Sequence, residues 1–390
     1  MRFFYISIIC LLLLPSCIKR EYVNHNNNEV NGDKNGDGID KIDANRLRAS
    51  VVAASLEDRL LASQLFISGI EGKGKLAPHI ITLLKETPPG GIMLFKYNLD
   101  SDNDSIRSLL EQTSELVKGE SGVPPFIAVD HEGGTVNRFR QGTADLPNAS
   151  SYWDLMLAKG RQAALREIEN DSLWAGIELL SLGIHMNFAP VAESLNDSNR
   201  VFLSKRSYGP DPLFTSDAAA AFIRGMGQAG ILCVIKHFPG SAGTDPHYSA
   251  SVINGDKAEI EKIVFPFRSL VDNGCASAIM VAHTAVPAFD NKIASLSKVV
   301  MEDWLRGDIG FKGILIADDF IMAAAGGQKP EEAAVLSIAA GADMVLVWPK
   351  DLKRTRDAVM SALNDGRLSR ERAREAATRI IYEKIIMGLM

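Results

Sequence analysis

The segment KHFPGSAGTDPH (236–247) sets Lys236, His237, Asp245 and His247 among glycines and prolines, directly after an apolar run. Asp245 and His247 are separated by one residue. In an extended segment such positions point to the same side, so the carboxylate can accept a hydrogen bond from the imidazole. That pairing would fix the tautomer, raise basicity and make His247 a general acid/base; an exposed turn is the plainer reading of the same D-P-H. A second carboxylate of interest is Asp318 in LIADDF, where the apolar residues before it would orient and partly desolvate it. Such a group serves as a nucleophile or as an electrostatic stabiliser.

Something must hold these residues together. Eight short apolar segments, 65–70, 91–95, 126–130, 185–190, 233–238, 278–283, 313–318 and 343–348, have the length and the Ile, Val, Leu or Phe content of fully buried parallel strands. Helical periods at 158–182, 217–228, 257–273 and 330–340 lie between them. Strand–helix alternation with eight strands predicts an α/β fold of the (β/α)8 barrel type, a single catalytic domain. An open doubly wound sheet is the alternative, but no G-x-G-x-x-G follows the first strand. Asp130, Lys236, His237, His283 and Asp318 then all stand at strand ends, where barrel enzymes build their sites.

Composition narrows the partners. The 390 residues are 46% hydrophobic and 23% charged with a formal net charge of −6, ample for a full core and unlike a nucleic-acid-binding surface. No H-E-x-x-H, P-loop or G-x-S-x-G motif occurs, so no metal and no cofactor is expected. Of the four cysteines, Cys233 and Cys275 read as small buried hydrophobes, with a disulfide between them left open.

The N-terminus is of another kind. A positive start, a short apolar run and Leu14-Pro15-Ser16-Cys17 resemble a bacterial lipoprotein signal, which implies cleavage before Cys17, lipidation of that residue and an extracytoplasmic, membrane-anchored protein. An ordinary secretory signal is the alternative. Residues 1–16 are thus read as signal peptide, 17–48 as a polar flexible tether and 49–390 as the barrel domain. Within the tether, DKNGDGID begins like a calcium loop, but its twelfth position is Ala44, and a solvated linker is the better reading.

Across about residues 55–389 the chain resembles glycoside hydrolase family 3, in particular its single-domain β-N-acetylglucosaminidases. The resemblance rests on AVDHEGGTVNRF (128–139), NFAPV (187–191), KRSYGPDP (205–212), KHFPG (236–240), MVAHTAVPAFD (280–290), FKGILIADDFIM (311–322) and GADMVLV (341–347), all collinear. It implies a retaining exo-hydrolase acting on terminal β-linked N-acetylglucosamine of peptidoglycan fragments (muropeptides) or chitin-type oligosaccharides. Asp318 matches the nucleophile, and His247 paired with Asp245 matches a mobile-loop acid/base. Asp130, Arg138, Arg206, Lys236 and His237 match positions that hold sugar hydroxyls. Two departures stand out. The loop after KHFPG is about two residues short, with Pro246 in place of the usual Ser, and Glu193 stands where an Asp often follows NFAPV. Other readings are a β-glycosidase or phosphorylase of different specificity, and a saccharide-binding lipoprotein with little turnover.

Overall fold

The computed structural model describes residues 36–139, 143–243, 251–320 and 328–390. Each of the eight apolar segments contains one strand: β1 (Phe66–Gly69), β2 (Gly91–Leu94), β3 (Phe126–Val129), β4 (Met186–Asn187), β5 (Leu232–Phe238), β6 (Ala278–Val281), β7 (Ile314–Ala317) and β8 (Met344–Val347). They pair in sequence order, and β8 closes on β1 with Phe66 opposite Val345 and Ser68 opposite Val347. The pairings are parallel throughout, so the sheet is the expected closed (β/α)8 barrel. All residues of β1, β2, β3, β6 and β7 are buried, as strands covered by helices outside and side chains within must be.

The helices begin and end where their chemistry dictates. Asp102 caps Asn103–Ser121 by accepting from the Ser105 N–H, and Gly122, at φ 73°, stops it. Asp256 and Glu259 form a reciprocal cap on Lys257–Asp272. The helical period expected over 158–182 is divided. Gly160, at φ 86°, separates Ala149–Lys159 from Arg161–Ser181. The pattern expected from residue 217 begins earlier, at Pro212, with Asp211 as its cap.

A second difference lies at the N-terminal side. The helix Gly36–Ser55 crosses the boundary expected at residue 49, so the end of the supposed flexible tether is helical. The reason is tertiary. Ala49 and Ala53 are fully buried, and the Arg46 guanidinium lies 5.0 Å from the centre of the Tyr382 ring, on the C-terminal helix Arg370–Ile386. Packing on one small-residue face overrides a composition that favours solvent. No helix among the described residues is long and apolar enough to cross a membrane.

The two ends of the barrel differ in purpose. At the N-terminal end, Asp343 precedes β8 fully buried, paired with Arg306 (2.7 Å), Arg372 (2.8 Å) and Arg379 (3.0 Å). The Leu315 N–H of β7 donates to it at 2.9 Å. Burial opposes its ionisation, but the three guanidinium groups outweigh that and hold its carboxyl below the usual range. At the C-terminal end, a small sheet joins the loops after β5 and β6, with Ser251–Val252 parallel to Thr284–Val286. Ser251 Oγ accepts from Ala242 N–H at 3.1 Å and from Thr284 Oγ1 at 3.0 Å. The loop that leaves β5 is therefore clipped at both its roots.

Candidate active site

The site is built from the end of β3 outward. Val129 pairs with Asn187 of β4, whose side-chain amide holds the next peptide on both sides: Oδ1 accepts from His131 N–H at 3.0 Å and Nδ2 donates to His131 C=O at 2.8 Å. With the backbone at 131 fixed, Asp130 and Glu132 project to one side. The chain then turns through Gly133 and Gly134, both at positive φ (97° and 50°). A Cβ on Gly134 would lie 2.1 Å from Asn148 Oδ1, so only glycine fits there. The turn brings Arg138 back to donate to Asp130 Oδ2 at 2.6 Å.

Two strands away, β5 supplies the counter-charge. Lys236 Nζ donates to Asp130 Oδ1 and also pairs with Glu132 Oε1 at 2.7 Å. Arg206 forks onto the same carboxylate, Nε to Oε2 and Nη2 to Oε1, both at 2.8 Å. The side chains of Lys236 and Glu132 are 4% and 6% exposed, so this pairing takes place away from water. Burial works against the Glu132 anion, yet Lys236 and Arg206 overcome it and hold its carboxyl far below the ordinary value. Asp130, Glu132, Arg138, Arg206 and Lys236 thus form one network of two carboxylates and three cations, one unit positive in sum. Glu132 was not singled out from the sequence; its i+2 spacing from Asp130 within AVDHEGG is the signal that could have found it.

His237 adjoins the network. The pairing of β5 with β6 slips between Ile235 and Phe238, which frees consecutive side chains from strict alternation. The Lys236–His237, Phe238–Pro239 and Ala189–Pro190 peptides are cis. Lys236 reaches Asp130 and Glu132, while His237 Nδ1 meets Glu193 Oε1 at 2.7 Å.

Across the mouth, Asp318 follows β7. Its N–H donates to Val281 C=O at 3.1 Å, and its Oδ1 accepts from the Asp319 N–H at 2.8 Å. The carboxylate is half-buried. The peptide after it is gripped from both flanks. From β6, His283 Nε2 donates to Asp319 C=O at 2.9 Å while its Nδ1 accepts from Ser295 Oγ at 2.6 Å. A carbonyl can only accept, so the ring hydrogen is on Nε2. Burial lowers the His283 pKa despite the nearby Asp318 charge, which favours the neutral ring. From β8, Trp348 Nε1 donates to Asp319 Oδ2 at 2.6 Å, and the indole stacks on Phe95 of the β2 end, with ring centres 4.9 Å apart. Trp348 and Asp319 had no role in the sequence reading.

The structure therefore gathers Asp130, Arg138, Arg206, Lys236 and His237 and sets Asp318 at the same end of the barrel. Asp245, His247 and Cys17 lie outside the described residues. Among the described residues no cluster of His, Cys, Asp or Glu could hold a metal ion. What is present is a strand-end carboxylate at the same end of the barrel as a paired network of carboxylates and cations, a set of donors and acceptors able to engage a polar substrate.

The chain and its fold are similar to known proteins. Residues 59–382 match the profile of the glycosyl hydrolase family 3 N-terminal domain. A beta-hexosaminidase of Tolumonas auensis is 36% identical over 270 residues, covering 68% of this chain and 77% of the relative. The structure of NagZ from Neisseria gonorrhoeae in complex with N-trifluoroacetyl-D-glucosamine superposes with a TM-score of 0.70 at 29% identity, covering 82% of this chain and 89% of that one. A family 3 β-N-acetylglucosaminidase from Paenibacillus sp. superposes with a TM-score of 0.80 at 27% identity; 86% of this chain aligns, spanning 63% of that longer chain.

Proposed function

Because the chain belongs to glycosyl hydrolase family 3 and is a glycoside hydrolase of the hexosaminidase type, we propose that it removes terminal β-linked N-acetylglucosamine with retention of configuration. The observation that carries this is the placement of Asp318 at the same end of the barrel as the Asp130–Lys236–Glu132–Arg206 network. Asp130 accepts from sugar hydroxyls, Lys236, Arg138 and Arg206 donate to them, and His237 adds a ring nitrogen. Held so, the anomeric carbon receives an Asp318 carboxylate oxygen as its bond to the leaving oxygen breaks. His247, oriented by Asp245, gives that oxygen a proton and then takes one from the water that releases the sugar.

Peptidoglycan fragments and chitin-type oligosaccharides are the proposed substrates. Lipidation at Cys17 would hold the enzyme at the cell envelope, where such saccharides arise. Cys17→Ala moving the protein from the membrane fraction to the soluble one would support that placement, and an unchanged distribution would refute it.

The activity is tested on protein lacking residues 1–17, with chromogenic β-N-acetylglucosaminide and β-glucoside, each with and without phosphate. The proposal expects phosphate-independent release from the N-acetylglucosaminide, abolished in Asp318→Asn and strongly reduced in His247→Ala. A requirement for phosphate would make the enzyme a phosphorylase. Sugar binding without turnover would make it a saccharide-binding protein.

A further inference from the structure

Glu193 is 3% exposed, and a carboxylate taken out of water is costly unless its oxygens are occupied or its charge is matched. Its Oε1 is occupied twice by the same residue: the backbone N–H of His237 donates to it at 3.2 Å and the ring Nδ1 lies 2.7 Å away. Its Oε2 is buried with no hydrogen-bond partner among the described residues. The backbone that carries it is also tied down. Lys236 N–H donates to Pro190 C=O at 3.1 Å and Ala192 N–H to Lys236 C=O at 2.8 Å, while Ser207 Oγ donates to Glu193 C=O at 2.7 Å. As mere filler, a buried acid with one bare oxygen is a poor choice beside an apolar side chain of equal volume.

What the acid does is fix an imidazole. A carboxylate only accepts, so the hydrogen between the two groups belongs to Nδ1. The ring centre lies 6.3 Å from that of Phe202, and Phe202 in turn lies 5.0 Å from the Arg206 guanidinium. His237 is therefore held in orientation as well as in tautomer, and Nε2 is the nitrogen left for a sugar hydroxyl.

We propose that Glu193 is a positioning residue: it locks His237 as the Nδ1–H form and so presents Nε2 to the sugar. The inference rests on the reading of this mouth as a sugar site.

The test compares Glu193→Gln, which keeps an accepting oxygen, with Glu193→Leu, which keeps only volume. Glu193→Leu is expected to raise KM for the chromogenic N-acetylglucosaminide by about 10–100-fold with kcat little changed, because the lost contact is made equally in ground and transition states. Glu193→Gln is expected to stay within about threefold, rescuing the contact without the charge. Long-range 1H–15N spectra of histidine-labelled protein, with the His237 signal identified by its loss in His237→Gln, should show Nδ1–H in wild type and in Glu193→Gln. That signature should be lost in Glu193→Leu. An unchanged KM in Glu193→Leu, or an Nε2–H ring in wild type, overturns the proposal. Were wild type to cleave no glycoside at all, the sugar reading would fall, while the tautomer spectra would still decide between a positioning and a filling role for Glu193.

Discussion

Lys236 is the cation that links the two carboxylates of the mouth, pairing with Asp130 and Glu132 at once. Replacing it by methionine keeps the stem and removes the charge, leaving Asp130 with Arg138 and Glu132 with Arg206. Losing charge-assisted hydrogen bonds at a buried site is expected to cost about 1.5–3 kcal/mol of stability, read as a lower urea midpoint. KM should rise as well, because Asp130 is no longer held against the sugar. Glu132 adds a pH dependence whose sign follows from its depressed pKa. Its contribution is complete above the ordinary carboxylate range and is lost as pH falls toward the folded-state value. Lys236→Met should therefore flatten the acid limb of the stability curve.

At the scale of the elements, Asp343 is the fastener of the barrel foot: it joins β8 to β7, to Arg306 of the Val299–Asp308 turns and to two arginines of the C-terminal helix. Asp343→Asn leaves three guanidinium groups around a neutral amide. The expected loss is about 3–5 kcal/mol in denaturant unfolding, with kcat unaltered in the protein that remains folded, because the foot lies at the opposite end from Asp318. The strands themselves were legible because each is a short, mainly apolar run, and several end in a polar residue at the mouth, as in Val129-Asp130 and Ala317-Asp318. Less was legible where structure depends on contacts remote in sequence. Gly160 looks like one more residue within a helical period, and only its positive φ breaks the helix. The part of the Gly36–Ser55 helix before residue 49 reads as solvated linker, and only packing of the helix on the C-terminal one shows otherwise. Of the site, Asp130, Lys236, His237 and Asp318 could be read from strand ends. The burial of Glu132 and Glu193 could not, because a charge that is buried by its partners looks, in a sequence, like any surface charge.

At the scale of the whole molecule, the last helix packs back on the N-terminal helices Gly36–Ser55 and Asp58–Gln64. Lys384 of that helix is fully buried, with Nζ donating to Gln64 Oε1 at 3.1 Å and lying 5.0 Å from the centre of the Phe126 ring. Burial pushes its pKa down to about 7. The sign is that of a cation suppressed by folding: between about pH 7 and the unfolded value near 10 the unfolded chain binds more protons, so stability rises with pH across that window. Below it the full cost of burying the charge is borne. Lys384→Met should therefore be more stable than wild type at pH 6, with the two melting curves converging toward pH 10. Nearby His185 is pushed down to about 4 by burial and by the Lys384 charge. Stability from keeping it neutral is lost as pH falls from its ordinary value toward 4.

The central claim is that Asp318 attacks the sugar, and it is tested most directly by catching the bond it forms. An activated fluorosugar analogue of N-acetylglucosamine, one that loads the enzyme faster than water unloads it, would be mixed with the protein. Intact-mass measurement and peptide mapping would then locate the adduct. The account predicts one sugar per chain, attached within the peptide that contains Asp318 and absent from Asp318→Asn. An adduct on another carboxylate, or cleavage of N-acetylglucosaminides with no adduct and an inverted anomer as first product, would contradict it.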